Sequence, residues 1–192
     1  MKKLLYVAGE PGSGKTTHVA KPLKKAGLGV ILHTDKISNR ASKHYGNEQS
    51  FPNKWLRWKD EFDDVENYSR LYDAFYQSMI EREGGPLNSV KNLICEGVLS
   101  GHPQFRKLLA EILTELGFTP TIIHQVAIDP DWGQLLKNFE KRGRRTDQDE
   151  SFTKPRSVDY KRRLKEQDEL AVFSTSEDCL NAARKFFQTK NG

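Results

Sequence analysis

The chain has 192 residues, of which 36% are hydrophobic and 30% charged, with a formal net charge of +5. That composition suits one domain with a buried core and a polar surface, and runs such as LLYVAG are far too short to span a bilayer, so no membrane partner is expected. Cys95 and Cys179 lie far apart and the five histidines are scattered, which speaks against a zinc site or disulfide framework; Lys2 and Lys3 precede only five apolar residues, too few for a secretory leader, so the expected location is the cytoplasm.

KKLLYVAG reads as a short buried strand, followed at once by the glycine-rich stretch GEPGSGKTT. KTTHVAKPLKKAG reads as a helix ending near Gly27, kinked or divided by Pro22, which lacks an amide to bond back to residue 18. GVILHTD is a second strand, ending at Asp35. Residues 40–92 then break the rhythm as an insertion. Within it Tyr68, Leu71, Tyr72, Phe75, Tyr76 and Met79 have helical spacing, while Trp55 and Trp58, three apart, are either packing residues or a stacking wall for a base or sugar. VKNLICEG is a third strand, and HPQFRKLLAEILTELG an amphipathic helix closed by Gly117. TIIHQVAID is a fourth strand, with Asp129 as the cap of the helix PDWGQLLKNFEKRG. A polar stretch follows, then the charged helix VDYKRRLKEQDEL, a short fifth strand AVFS, and a closing helix capped by Ser176.

Strands that are continuous apolar runs, alternating with helices, predict an α/β fold: a doubly wound parallel sheet of about five strands with helices on both faces. The whole chain, 1–192, reads as a single domain, with 40–92 as an inserted subregion and a small lid at about 141–157. Charge is uneven: residues 54–83 carry five Lys/Arg against eight Asp/Glu, and residues 135–165 eleven against five, a local cationic patch suited to phosphates.

GEPGSGKTT matches the phosphate-binding pattern G-x-x-x-x-G-K-[ST] in its proper context, after a strand and before a helix. Gly9, Gly12, Ser13, Gly14, Lys15, Thr16 and Thr17 are the expected nucleotide contacts. Glycines let backbone amides curl around an anion, Lys15 reaches the β- and γ-phosphates, and Thr16 offers a hydroxyl to Mg2+, whose other positions fall to water and phosphate. ATP with Mg2+ is the expected cofactor pair; a base-reading NKxD motif is absent, which argues against a GTP switch.

In open α/β sheets ligands bind beyond the carboxyl ends of the strands, and Asp35, Glu96 and Asp129 stand at such ends. Asp35 is the candidate to accept or orient the acceptor hydroxyl's proton, with helix capping as a compatible role. Glu96 would hold Mg2+ through water or hold the attacking group, or else cap a loop. Arg142, with Lys141, Arg144 and Arg145, forms a cluster able to clamp the transferring phosphoryl group; Arg142 and Arg145 are assigned to the nucleotide.

GEPGSGKTT, ILHTDKISNR and VAIDPDWGQLLKNFEKRG together resemble the kinase domain of phage polynucleotide 5′-hydroxyl kinases. The resemblance implies Asp35 as general base, Lys15 and Thr16 as loop residues, Arg142 as lid arginine and Arg40 as the arginine facing the acceptor's phosphate. LICEG is similar instead to zeta-toxin-like kinases, which phosphorylate a sugar nucleotide. The expected function is therefore ATP-dependent phosphorylation of a hydroxyl on a nucleic acid or nucleotide, either a 5′-hydroxyl or a hydroxymethyl group on a modified base. Trp55, Trp58, Arg40 and Glu96 are placed on the acceptor side, and no protein partner is expected. The alternatives are a small-molecule kinase acting on a sugar nucleotide or antibiotic, and a nucleotide-dependent adaptor without transfer chemistry.

Overall fold

The computed structural model describes residues 1–46, 61–62, 64–83, 87–141 and 154–189. Five strands, β1 Lys3–Gly9, β2 Val30–His33, β3 Asn92–Glu96, β4 Ile122–Ile128 and β5 Ala171–Phe173, form one sheet in the order β2-β3-β1-β4-β5. All four pairings are parallel. The first strand thus sits at the centre, with the order reversing beside it, and the crevice above its carboxyl end is where such sheets bind ligands.

Alternation along β1 explains why the strand reads as a continuous apolar run. Leu4 and Tyr6 enter the core on one face, while Leu5 and Val7 enter the core on the other. The first face is covered by α2 Thr34–His44, α3 Tyr68–Glu83 and α4 Pro103–Glu115. The second is covered by the helix after the glycine loop and by α7 Ser176–Gln188. Each fully buried Leu or Phe contributes roughly 1.5–3 kcal/mol, so these two layers hold the sheet's rim in place. The covering is incomplete at the start of β4, where Ile123 is 47% exposed.

The helix after the loop is divided, as Pro22 predicts. Lys15–Ala20 adopts the wider π form, and α1, Lys21–Lys25, is α-helical with Pro22 in its first turn, where a missing amide is tolerated. The stripe expected at 68–79 splits in two. Leu71, Phe75 and Met79 are buried in the core, whereas Tyr68 and Tyr72 donate to Glu111 (2.5 Å) and to Glu115 of α4. α5, Trp132–Glu140, and α6, Lys154–Lys165, complete the described helices.

Three local expectations need correction. β2 ends at His33, so Asp35 belongs to the first turn of α2 and not to a strand; Thr34 is drawn into the helix start by its own bond to the Glu96 carbonyl at 3.1 Å. The cap of α5 is Asp131, which accepts from the Gln134 amide at 2.9 Å, because Asp129 is engaged by Lys161 at 2.9 Å and Lys165 at 3.5 Å from α6. The cap of α7 is Thr175, whose hydroxyl accepts from the Asp178 amide at 3.1 Å, and Ser176 is the first residue inside the helix.

Candidate active site

The glycine loop leaves β1 at Gly9 and enters the helix at Lys15. Gly12 has φ +87°, a left-handed conformation that favours glycine, and a Cβ there would press on the Phe139 ring at 3.0 Å. The turn closes through the Ser13 amide, which donates to the Glu10 carbonyl at 3.1 Å. The Ser13 hydroxyl is buried and has no hydrogen-bond partner among the described residues. Lys15 is 6% exposed, and its ammonium donates to the Glu10 carbonyl at 3.3 Å. An ammonium has three donors, so this single long bond leaves Lys15 with capacity for an anion. Thr16 is half-buried and Thr17 exposed at the helix start.

Glu96, the last residue of β3, lies directly behind Thr16. Its Oε2 accepts from the Thr16 hydroxyl at 2.9 Å, and its Oε1 meets His33 Nδ1. The carboxyl is nearly sealed from solvent, and the Glu96 carbonyl accepts from Thr34. Two positions on, the Val98 amide donates to Asp35 Oδ1 at 3.0 Å. The β2–α2 junction, residues 33–35, therefore grips the end of β3 at three consecutive points. Gly97 lies between them with φ +154°; a Cβ there would come within 2.7 Å of Asp35 Oδ1. Gly97→Ala should accordingly lose about 1–3 kcal/mol of stability and displace Asp35. Urea denaturation checks this, and an unchanged midpoint would contradict the tight packing described.

The donor set at Thr16 and Glu96 is a hydroxyl and a carboxylate, hard oxygens of the kind Mg2+ takes alongside phosphate and water. When the Thr16 proton points to Glu96, the hydroxyl's lone pairs are left for a cation. These residues fit Mg2+ with a nucleotide. Among the described residues no group of three or more His, Cys, Asp or Glu forms a self-sufficient metal cage.

Two helices brace the loop from behind. Asn138 of α5 donates to the Gly12 carbonyl at 2.8 Å. Tyr160 of α6 takes the Gly9 amide at 3.0 Å and gives its own proton to the Val98 carbonyl at 3.2 Å, tying the loop to the end of β3. Ser157 donates to Glu10 at 2.7 Å. Burial pushes the Glu10 carboxyl up from its ordinary value of 4.5, with the Ser157 bond pulling the other way. A raised acid holds its proton more tightly when folded. Its stabilising contribution is present below pH 4.5 and is lost as pH rises through the folded-state value. Glu10→Gln, neutral throughout, should keep stability that the parent chain loses on going from pH 4.5 towards neutrality. Parallel stability curves for the two proteins across that range would refute this.

Of the residues expected from the sequence, the structure brings Gly9, Gly12, Ser13, Gly14, Lys15, Thr16, Asp35 and Glu96 to one rim. Arg40 is exposed on α2, on the same helix face as Lys36 and Lys43. Trp55, Trp58, Arg142, Arg144 and Arg145 lie outside the described residues, as does 142–153 of the expected lid. Four residues escaped the sequence reading: His33, Asn138, Ser157 and Tyr160. Only His33 carried a local signal, two residues before Asp35 at the end of a strand.

The family model described as AAA domain matches residues 4–167. Among solved structures, the chain is similar to APE1195 at 18% identity, covering 97% of this chain and 95% of that one, with a TM-score of 0.45. It is similar to a sugar kinase from Janibacter sp. HTCC2649 at 17% identity, covering 95% and 92%, with a TM-score of 0.49. A gluconokinase from Sinorhizobium meliloti 1021 shares 13% identity, covering 98% of each chain, with a TM-score of 0.46. No curated protein matches the chain.

Proposed function

The chain belongs to the AAA domain family, and from that premise we propose that it is an ATP- and Mg2+-dependent kinase that transfers the γ-phosphoryl group to a hydroxyl on a nucleotide or nucleic acid. One observation carries the reading: the Asp35 carboxylate, fixed by the Val98 amide, stands on the residue pair next to Glu96 and Thr16, at the mouth of a glycine loop with an underused lysine. The loop and Lys15 hold the donor phosphates. Thr16, with Glu96 behind it, would hold Mg2+, which would neutralise charge on the phosphate oxygens. Asp35 accepts the hydroxyl's proton through the oxygen not committed to Val98.

An anionic acceptor is favoured by α2. Lys36, Arg40 and Lys43 share an exposed stripe that starts beside Asp35 and runs for roughly 10 Å at 1.5 Å per residue. That length matches one or two phosphate groups. Labelled ATP offered with DNA, RNA, base-modified DNA, nucleotides and sugar nucleotides tests the acceptor. Transfer to neutral metabolites and never to a nucleotide or oligonucleotide would sink it.

A small-molecule acceptor, as in zeta-toxin-like kinases, has its own support. α3, packed beside α2, exposes Asp73 and Glu81, and Glu81 pairs with His44 of α2 at 3.0 Å. An acidic border cuts the cationic stripe short for a long polyanion. Salt separates the two readings: KM for a polynucleotide rises steeply with ionic strength, and KM for a small neutral acceptor hardly moves.

A further inference from the structure

His33 has no step in the chemistry above, yet it is one of only two side chains among the described residues seen to hold the Glu96 carboxylate. It ends β2 directly opposite Glu96 in the parallel register. Its Nδ1 meets Oε1, while Thr16 holds Oε2 at 2.9 Å. A carboxylate only accepts, so Nδ1 carries the proton in this contact. The Glu96 side chain is 5% exposed, so protein partners and not bulk water set the plane of its carboxylate. Two anchors define that plane. With Thr16 alone, the group would be free to swing about one bond and leave a buried oxygen without a donor, which is costly.

The orientation matters because the Thr16 hydroxyl can offer lone pairs to a cation only while Glu96 takes its proton. We infer that His33 is a positioning residue for Glu96, setting the loop's affinity for metal-bound nucleotide over metal-free nucleotide. The inference rests on the reading that this loop takes a magnesium nucleotide. It links the acceptor-side strand to the metal side of the site, because the same junction carries Asp35 two residues later.

The test is equilibrium binding of a fluorescent ATP analogue to the full chain, without acceptor, once with Mg2+ and once with EDTA. His33→Ala should weaken binding with Mg2+ by about tenfold, the lower end for removing a partner of a metal-facing group, and leave binding in EDTA within about twofold. His33→Asn, whose amide nitrogen takes the place of Nδ1, should recover most of the loss. The inference is overturned if His33→Ala binds like the parent chain with Mg2+, if it weakens binding equally in both conditions, or if His33→Asn is as weak as His33→Ala. A parent chain that binds no nucleotide overturns it together with the nucleotide reading. Turnover is not part of the readout, so a failure of the kinase reading shows separately in the acceptor screen.

Discussion

Lys15→Met should abolish phosphoryl transfer, lowering turnover by roughly 10³-fold or more while the fold persists. The expectation follows from how the ammonium is held. Lys15 is buried at 6% exposure and donates to one backbone carbonyl at 3.3 Å, a weak tether for a charged group with three protons. An anion seated in the loop completes its coordination, and charge growing on that anion in the transition state strengthens the contact. Methionine keeps most of the stem's packing and removes only the charge, so the melting temperature should shift by a few degrees at most. Turnover with labelled ATP, set beside a thermal melt, checks both halves. Activity within tenfold of the parent chain would remove Lys15 from the donor site.

Asp35→Asn should lower turnover by about 10²- to 10⁴-fold, the range for a general base, with nucleotide binding nearly unchanged. Asparagine is the informative choice because its carbonyl oxygen still accepts from the Val98 amide, which Asp35 now does at 3.0 Å. The junction between β2 and α2 stays closed, and what disappears is the capacity to take a proton. A loss of kcat with an unchanged dissociation constant for ATP identifies the residue with the chemistry. Unchanged turnover would remove Asp35 from the mechanism, and a parent chain that binds ATP yet transfers to no acceptor would favour an adaptor.

The layered fold was legible because each strand is a short apolar run bounded by glycine, proline or a charged residue, and each covering helix shows its own period. The phosphate loop was legible because its function constrains neighbouring residues in sequence. Boundaries were less so. Asp35 reads as a strand end because HTD follows an apolar run, yet the Thr34 and Asp35 side chains find partners across the crevice at Glu96 and Val98 and start a helix instead. Asp129 has the right residue type for a cap, but two lysines from α6 claim it and Asp131 takes the role. The bracing residues Asn138, Ser157 and Tyr160 were invisible for the same reason: each meets the loop across more than 120 positions of chain, and nothing local marks it.

The central place of β1 has a consequence for how the protein is made. Lys3 pairs with Asn92 on one side and Ile122 on the other, so its neighbours lie about 90 and about 120 residues downstream, closures with a high entropic cost. During synthesis β1 emerges well before β3 and β4, the strands it pairs with, an exposure that invites mispairing or chaperone capture. The glycine loop, encoded within the first seventeen residues, can take its phosphate-binding shape only after β4 and α6 have been translated, because they supply its flanking strand and the Tyr160 anchor. The earliest part of the active site to be translated is thus among the last to be assembled.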